Sequence, residues 1–417
     1  MRSSATFENM NTVRLAIIST HPIQYYAPIF QALARSQSIR AKVFYTWSQT
    51  ATTGAADAGF GRHVSWDIPL LDGYEFEFVT NVARRPGSDH FWGLRNPGLT
   101  SAIEKWSADA VLVFGWNSAS HLRALRYFKG KVPVFFRGDS TLLDRRSGWR
   151  TGLRRMHLGW VYRHIDVAIA VGSNNRDYFR WCGVPAERIL FAPHAIDTTR
   201  FADPDGSQQR RAAQWRAELG IEPQARTLVF AGKLLRKKDP VLLLEAFQRC
   251  DRARHLVFVG DGELQSELRR RAAGRTDVHF LPFQNQSFMP AVYRLGDIFA
   301  LPSRGPGETW GLAVNEAMAS GRPVIVSNKV GGARDLVTSG VTGWVFESGN
   351  RDDLVAAVEK AFGCDNETLH GMAEAARRES ARWSIEAAAQ GIERAVVEFA
   401  GVSPDSAVPL QGRHIRP

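Results

Sequence analysis

The fold of this 417-residue chain is decided by the stretch IFALPSRGPGETWGLAVNEAMASGRP, residues 298–323. Its first four residues, Ile298 to Leu301, are apolar and predict a short buried strand. A loop rich in glycine and proline follows, and the segment from Leu312 to Ala319 then predicts a helix, which Gly321 and Pro323 end. A glycine-rich loop that leads into a helix presents unpaired backbone N–H groups and the positive end of the helix dipole. This arrangement favours the binding of a diphosphate.

The same alternation of apolar runs and amphipathic segments extends outward from this stretch. The other runs that predict strands are Val13 to Ser19, Lys42 to Tyr45, Ala110 to Phe114, Val132 to Phe136, Val167 to Val171, Thr227 to Phe230, Leu256 to Val259, Val278 to Leu281, Val324 to Val326 and Trp344 to Phe346. Helical segments such as Pro240 to Arg249 lie between them. Because strands that alternate with helices at this spacing form parallel sheets, we expect an α/β protein. It would have two doubly wound, Rossmann-like domains that face a cleft.

The length of the chain also indicates two domains of about 200 residues each. We predict an N-terminal domain over residues 1–204, a C-terminal domain over 205–382, a C-terminal helix over 383–400 that could cross back to the N-terminal domain, and disordered ends at 1–12 and 401–417. The polar stretch from Asp203 to Gln209 is the expected linker between the domains.

Composition excludes several classes of protein. With 44% hydrophobic and 23% charged residues, the chain has globular proportions, and it contains no uninterrupted apolar window of about 18 residues. Residues 1–10 lack an apolar signal segment, so we expect a cytoplasmic protein. The three cysteines, Cys182, Cys250 and Cys364, lack metal-ligand spacing, and we interpret them as reduced thiols.

Positive charge is concentrated in the first half of the chain. Residues 1–200 hold 25 Lys and Arg residues against 15 Asp and Glu residues, which accounts for +10 of the formal net charge of +11. Such a surface can attract nucleic acid, an anionic membrane or phosphorylated small molecules. Because the chain has no zinc-finger, RRM or KH signature, we expect no nucleic-acid partner.

Two carboxylates accompany the glycine-rich loop. Glu308 precedes the predicted helix and Glu316 lies about two turns further on, so both could accept hydrogen bonds from vicinal hydroxyls of one ligand. By themselves they could equally be a helix cap and a solvated residue. The run AGKLLRKK, residues 231–238, favours ligand binding, because Lys233 and Lys238 follow a strand end beside a glycine. There they could neutralise a departing diphosphate.

Together these segments resemble the family 4 retaining glycosyltransferases. The features that match are Gly232-Lys233-Leu234 with Lys238, Val259-Gly260-Asp261-Gly262, Leu301-Pro302-Ser303, Glu308-x7-Glu316, Glu316-Ala317-Met318-Ala319 with Gly321 and Pro323-Val324, Gly331-Gly332 and Thr342-Gly343. The resemblance covers most of residues 227–348. It implies a GT-B fold in which the C-terminal domain binds the nucleotide-sugar donor.

The same resemblance implies roles for individual residues. Lys233 and Lys238 would bind the donor diphosphate, Glu308 the hydroxyls of the transferred sugar, and Glu316 the ribose. The rest of the donor site would consist of Thr309, Trp310, Gly311 and Leu312. Position 233 is usually arginine in the family, and lysine keeps the charge but loses the bidentate fork.

The N-terminal half is similar to the acceptor domain of this family, though less specifically. His21-Pro22-Ile23-Gln24-Tyr25-Tyr26 follows the first strand, where the family has a loop that faces the cleft, and 192–197 resembles the family's Pro-Asn-Gly-Val-Asp junction. We therefore expect His21, Gln24, Tyr25 and Arg137 on the acceptor side. Where many members have a histidine near the reacting centre, this chain has Arg137-Gly138-Asp139-Ser140, and either Asp139 or His21 could take that polar role. The segment 57–92 is typical of members from polysaccharide clusters.

The implied activity is transfer of a sugar, with retention, from a nucleoside-diphosphate sugar to a glycan or lipid-linked glycan in cell-surface polysaccharide synthesis. The catalytic set would be Glu308, Lys238, Lys233 and Asp139, with no metal and no cofactor. Asp203-Pro204-Asp205 looks like a metal-binding DxD motif, but its proline and its place in a linker argue against that role. A sugar-nucleotide epimerase and an inactive scaffold that binds nucleotide sugar remain alternatives.

One basic stretch has no acidic residue. Between Arg145 and Ile165 the arginines are Arg145, Arg146, Arg150, Arg154, Arg155 and Arg163, and they are interleaved with Trp149, Leu153, Met156, Leu158 and Trp160. The stretch could be a solvated helix face, or an interfacial segment whose arginines meet anionic headgroups at about 1 kcal/mol each. We predict that it docks the N-terminal domain on the inner membrane surface, near a lipid-linked acceptor.

Overall fold

The computed structural model describes residues 12–48, 55–57, 62–145, 148–250 and 254–400. Residues 1–11 and 401–417, which include nearly all of the predicted disordered ends, lie outside this description, as does Arg146 of the basic stretch.

The strands are short and follow one another with helices between them. In chain order they are β1 Val13–Ser19, β2 Ile39–Tyr45, β3 Ala55–Asp57, β4 Arg62–Val64, β5 Glu75–Phe78, β6 Ala110–Phe114, β7 Val134–Arg137, β8 Val167–Ala170, β9 Ile189–Phe191, β10 Arg226–Ala231, β11 Arg254–Val259, β12 Val278–Leu281, β13 Ile298–Leu301, β14 Val324–Ser327 and β15 Gly343–Phe346.

The helices are α1 Ala27–Ala34, α2 Leu99–Lys105, α3 Ala119–Phe128, α4 Trp149–Tyr162, α5 Ser173–Trp181, α6 Thr198–Ala202, α7 Ser207–Glu218, α8 Pro240–Arg249, α9 Gln265–Arg271, α10 Met289–Arg294, α11 Leu312–Ala319, α12 Ala333–Leu336, α13 Arg351–Gly363, α14 Asn366–Ala381 and α15 Ile385–Ala400. None of the helices in the described part of the chain combines the length and the apolar character that are needed to span a bilayer.

Two sheets organise the molecule, and all of their strand pairs are parallel. The first has the order β5-β2-β1-β6-β7-β8-β9 and the second β12-β11-β10-β13-β14-β15. In each sheet the order reverses at one switch point, between β1 and β6 and between β10 and β13. A crevice opens at such a point, outside the carboxyl ends of the strands. The predicted fold class, two doubly wound α/β domains, is confirmed.

Each sheet is buried on both faces, as parallel sheets require. One core cluster covers the second sheet, and two clusters cover the opposite faces of the first. The stretch that decides the fold lies at the switch point of the second sheet: β13 is fully buried and α11 buries Val314, Ala317 and Met318.

The last helix, α15, belongs to the core of the N-terminal domain although it ends the described chain. Its buried face includes Ile392 and Val396 and packs with α1 against the first sheet. Gly391 permits this approach, because a Cβ atom there would lie 2.7 Å from Ala192 Cβ. The helix therefore ties the two domains together.

The polar stretch from Asp203 to Gln209, which we predicted as the linker, contains the start of a helix, because α7 begins at Ser207. Asp203 stabilises its first turn, since its carboxylate accepts hydrogen bonds from the backbone N–H groups of Gln208 and Gln209, both at 2.9 Å. The polar residues of this stretch therefore start a helix.

Candidate active site

A cleft of about 770 Å³ lies between the two domains, where the two switch points face each other. All of the residues assigned from the sequence except Arg137 line it: His21, Gln24, Tyr25, Asp139, Lys233, Lys238, Glu308, Thr309, Trp310, Gly311, Leu312 and Glu316. The structure therefore brings the predicted donor side and most of the predicted acceptor side to one cavity.

The floor of the donor side is formed by backbone at the ends of β10 and β11. Gly232 N donates a hydrogen bond to Val259 O at 3.0 Å, and Gly260 packs directly over Gly232. A Cβ atom on Gly260 would lie 2.1 Å from Gly232 O, and φ there is +134°, so only glycine fits. Gly232, Lys233 and Gly260 all line the cleft here.

Lys238 and Glu308 form an ion pair in the cleft, with 2.5 Å between Nζ and Oε2. Glu308 Oε2 also accepts a hydrogen bond from Ser303 Oγ at 2.9 Å. Glu308 is not the helix cap that the sequence allowed as an alternative. The cap position of α11 is Gly311, and no side chain caps that end.

Glu316 is buried, so the alternative of a solvated residue is wrong. Tyr293 OH donates a hydrogen bond to Glu316 Oε2 at 2.6 Å, and Tyr25 also lies beside this carboxylate, whereas Oε1 makes no hydrogen bond of standard length in the described structure. Burial raises the pKa of Glu316, and the Tyr293 hydrogen bond, the charge of Arg200 and the interaction with Tyr25 act in the opposite direction. Burial, and next the charge of Glu316, raise the pKa of Tyr25, which keeps its phenol neutral. Glu316 thus presents a buried carboxylate oxygen to the cleft.

Asp139 links the two sides of the cleft. Thr309 Oγ1 donates a hydrogen bond to Asp139 Oδ2 at 2.6 Å across the domain boundary. His21 lines the same cleft, and burial lowers its pKa. Its Nδ1 lies 3.0 Å from Thr20 Oγ1.

Arg137 does not line the cleft, which corrects its predicted place on the acceptor side. It is buried, and its guanidinium donates hydrogen bonds to Ala192 O at 2.8 Å and Pro193 O at 2.7 Å. Burial lowers its pKa to about 10. Its role is to hold the junction that carries His194.

His194 was missed in the sequence as a cleft residue. It is buried beside Trp310, with 5.7 Å between ring centroids, and its Nδ1 has no hydrogen-bond partner in the described structure. Burial lowers its pKa to about 4, and the nearby charge of Asp139 acts in the opposite direction. A second histidine of the cleft, beside His21, therefore comes from the 192–197 junction and is neutral. In the sequence, only the difference between residues 192–197 and the family's junction motif could have indicated that His194 lies in the cleft.

Contacts between the domains close the cleft at two edges. On one edge Asn285 Nδ2 donates to Ser65 O at 2.7 Å, and Ser287 N donates to Asp67 Oδ1 at 3.1 Å. On the other edge Gly307 N donates to Asp144 Oδ2 at 2.8 Å. One backbone N–H group of the glycine-rich loop is thus already hydrogen-bonded to the carboxylate of Asp144.

The DxD-like motif lies away from this chemistry. Asp203 pairs with buried Arg294 at 3.4 Å, and neither Asp203 nor Asp205 lines the cleft. Within the described ranges, no group of three His, Cys, Asp or Glu residues is arranged to hold a metal ion.

Comparison with known proteins places the chain in a family. Residues 212–379 match the profile described as glycosyl transferases group 1, and residues 76–195 match the glycosyl transferase 4-like domain. Among solved structures, Anabaena HepE in complex with UDP superposes with a TM-score of 0.70 at 20% identity, covering 93% of this chain and all of that one. A glycosyltransferase from Rickettsia africae has a TM-score of 0.72 at 14% identity, over 94% of this chain and all of that one.

Among curated relatives, a GDP-mannose-dependent phosphatidylinositol monomannoside mannosyltransferase of Mycobacterium tuberculosis is 33% identical over 70% of this chain and 77% of its own length. The sulfoquinovosyl transferase SQD2 of Arabidopsis thaliana is 32% identical over 70% of this chain, and a D-inositol 3-phosphate glycosyltransferase of Nocardia farcinica is 33% identical over 55%. The match spans 57% and 54% of the length of these last two proteins. The chain belongs to the glycosyl transferases group 1 family, the family 4 glycosyltransferases of GT-B fold.

Proposed function

We propose that this chain is a retaining glycosyltransferase that moves a sugar from a nucleoside-diphosphate sugar to a glycan or lipid-linked glycan of the cell surface. The observation that carries the proposal is the buried carboxylate of Glu316 at the switch point of the second sheet, whose Oε1 makes no hydrogen bond of standard length in the described structure. A buried acceptor that lacks such a bond is costly, and a ribose hydroxyl would satisfy it.

The rest of the donor fits around that anchor. With the ribose on Glu316, the diphosphate lies over the N-terminus of α11 and reaches Lys233 and Lys238, while the sugar hydroxyls reach Glu308. UDP bound in Anabaena HepE and GDP-mannose used by the mycobacterial relative are consistent with a nucleoside-diphosphate donor. The base and the sugar are left open.

The chemistry we propose is substitution on the front face of the sugar. The acceptor oxygen forms a bond to the anomeric carbon as the bond from that carbon to the phosphate oxygen breaks, and the same phosphate oxygen receives the acceptor proton. Lys233, Lys238 and the helix N-terminus stabilise the leaving diphosphate. Asp139, held by Thr309, is a hydrogen-bond acceptor beside the attacking hydroxyl. None of these steps requires a metal ion.

A lipid surface is the proposed location of the acceptor. Helix α4 exposes Trp149, Leu153 and Met156, which are spaced by four and three residues and so lie on one face. Arg150 lies beside Trp149, with 5.5 Å from the guanidinium carbon to the ring centroid. An apolar stripe flanked by arginines complements an anionic membrane surface.

The test is product analysis with the full chain and a panel of radiolabelled nucleotide sugars. We expect label to leave one nucleotide and to appear in an acceptor with the anomeric configuration of the donor. Label that stays on the nucleotide with changed stereochemistry would identify an epimerase, and nucleotide binding without turnover would identify a scaffold. The Glu308→Gln variant is the low-activity control for contaminating enzymes.

A further inference from the structure

The loop that carries Glu308 contains several glycines with a left-handed backbone. It joins β13 to α11 and includes Gly305, Gly307 and Gly311, whose φ angles are +69°, +85° and +91°. Glycine loses more conformational freedom on folding than any other residue, so such a loop depends on contacts with other segments to keep a single shape. The position of the Glu308 carboxylate therefore depends on what holds its neighbours in the chain.

Both chain neighbours of Glu308 are held by carboxylates of the N-terminal domain. Gly307 N donates a hydrogen bond to Asp144 Oδ2 at 2.8 Å. On the other side of Glu308, Thr309 Oγ1 donates a hydrogen bond to Asp139 Oδ2 at 2.6 Å. The residue that we assign to the transferred sugar is thus bracketed by two contacts from the opposite domain.

The main chain of Glu308 is supported from the N-terminal domain as well. Glu308 O accepts a hydrogen bond from Gly331 N at 3.0 Å, and Gly331 O accepts one from Asn174 Nδ2 at 2.8 Å. Gly331 packs so closely that a Cβ atom on it would lie 1.6 Å from Thr309 O. Because Asn174 belongs to α5, a second segment of the N-terminal domain supports the same loop.

Asp144 contacts the glycine-rich loop at more than one point. A Cβ atom on Gly305 would lie 2.5 Å from Asp144 Oδ1, so the carboxylate packs against that glycine too. The residue before it, Leu143, accepts a hydrogen bond through its carbonyl from Lys329 Nζ. The segment 139–144 therefore docks on the C-terminal domain around this loop, although Asp144 itself does not line the cleft.

We propose that Asp144 is a positioning residue for recognition of the transferred sugar. It acts through Gly307 and holds the carboxylate of Glu308 where the sugar hydroxyls bind. Recognition of the sugar then depends on a contact between the domains, whereas the nucleotide, anchored on Glu316, does not depend on Asp144. A displacement of about 1 Å in an active site can lower the rate 100-fold, so a contact outside the cleft can control transfer. This inference rests on the role proposed for Glu308.

Hydrogen–deuterium exchange of the full chain tests the support of the loop without any substrate. We expect the Gly307 amide, in peptides that cover 303–309, to exchange about tenfold faster in Asp144→Ala, the scale of one lost hydrogen bond to a charged group. Asp144→Asn keeps an acceptor oxygen and should restore most of the protection. Because Asp144 is exposed, both replacements leave the core intact.

The matched control is Asp67→Ala. Asp67 is also an exposed carboxylate that accepts a hydrogen bond from a backbone N–H group across the domain boundary, here that of Ser287 at the opposite edge of the cleft. Its removal should leave exchange of 303–309 at the wild-type rate. A general loosening of the cleft would instead affect Asp67→Ala and Asp144→Ala equally.

Turnover and binding then measure the consequence for the sugar. The nucleotides for calorimetry are UDP and GDP, and turnover is measured with the donor and acceptor that product analysis identifies. In Asp144→Ala we expect kcat to fall about tenfold and nucleotide affinity to stay within about twofold of the wild type. Asp144→Asn should recover most of the lost kcat.

Three results would overturn the inference. They are unchanged exchange of 303–309 or unchanged kcat in Asp144→Ala, equal changes in Asp144→Ala and Asp67→Ala, and a fall in nucleotide affinity as large as the fall in kcat. A wild-type chain that bound no nucleotide and transferred no sugar would count against the proposed function instead. The exchange measurement would still decide whether Asp144 holds the loop, so the two failures can be told apart.

Discussion

Lys238 Nζ lies 2.5 Å from Glu308 Oε2, so the side chains that we assign to the diphosphate and to the transferred sugar form one ion pair. Both are largely buried, with 17% and 9% of their side chains exposed. Ser303 Oγ donates to the same Glu308 oxygen. A donor that binds here must contact both members of this ion pair. Recognition of the sugar is therefore coupled to neutralisation of the leaving group.

The first prediction follows from that coupling. Lys238→Ala should lower turnover by about 100-fold or more, the scale of one lost electrostatic contact in the transition state. It should also lower the free energy of unfolding, because Glu308 loses its counter-ion in a largely buried place. Arg236→Ala, an exposed neighbour, is the control and should change neither quantity. Unchanged turnover in a folded Lys238→Ala variant would falsify the assignment.

The second prediction separates the two glutamates. Glu316→Gln should weaken nucleoside diphosphate binding in calorimetry, because an amide is a poorer acceptor for the ribose hydroxyls. Glu308→Gln should lower transfer and leave nucleotide affinity nearly unchanged. Tyr293→Phe, which removes only the hydrogen bond to Glu316 Oε2, should have a smaller effect than Glu316→Gln. If both glutamine variants bound nucleotide and turned over normally, the pair would be structural.

Features set by local sequence could be predicted well. Helices α8 and α11 begin and end where their periodicity, glycines and prolines indicate. Strand β5 was not predicted, because its sequence Glu-Phe-Glu-Phe alternates as expected for the edge position it occupies rather than forming an apolar run. Strand β9 was not predicted either, because it has only three residues and none of them is fully buried.

Features of the site that depend on convergence of distant segments could not be predicted. Tyr293 meets Glu316 only because α10 and α11 pack together, and His194 reaches the cleft because Arg137 holds the carbonyls before it. A buried arginine that bonds to backbone carbonyls gives the same sequence signal as one that binds a ligand. Burial decides between these roles, and burial is a tertiary property.

The third prediction concerns acid stability. The pKa of His194 is about 4 in the folded protein and about 6.5 when unfolded, so between these values the unfolded chain binds a proton that the folded chain does not. Stability should therefore fall as the pH drops from 6.5 to 4. His194→Gln removes this term, and its unfolding free energy should fall less steeply over that window, by up to about 1.4 kcal/mol per pH unit.

Urea unfolding at several pH values between 7 and 4 measures the effect. Comparing the variant with the wild type isolates the proton uptake that depends on His194, including its interaction with Asp139. Identical slopes for His194→Gln and the wild type would show that His194 is protonated freely in the fold.

The fourth prediction is that chelators leave activity intact. In the proposed donor site Lys233 and Lys238 supply the positive charge for the diphosphate, and Asp203 of the DxD-like motif is bound to Arg294. Activity should persist in EDTA. If EDTA abolished activity and Mg²⁺ or Mn²⁺ restored it, a carboxylate of the cleft would have to hold the ion with the donor.

The last prediction concerns the exposed stripe of α4. Trp149, Leu153 and Met156 are 72%, 51% and 67% exposed, which is unfavourable in water for three apolar side chains on one face. Arg155 donates a hydrogen bond to Trp181 O at 2.9 Å, so Arg150 and Trp149 are the cleanest residues to change. We expect the protein to sediment with anionic vesicles, and this binding to weaken as salt is raised, because salt screens the arginines.

Two variants test which part of that surface binds. Trp149→Ser should reduce vesicle binding at all salt concentrations, because it removes apolar area that the membrane would bury. Arg150→Gln should reduce vesicle binding mainly at low salt. The matched control is Trp92→Ser, which removes a tryptophan that is 64% exposed on the same domain but outside α4. The Trp92→Ser variant should bind vesicles like the wild type. Equal binding to neutral and anionic vesicles, or the same loss in Trp92→Ser as in Trp149→Ser, would favour an acceptor in solution, because α4 would then have no specific role at a lipid surface.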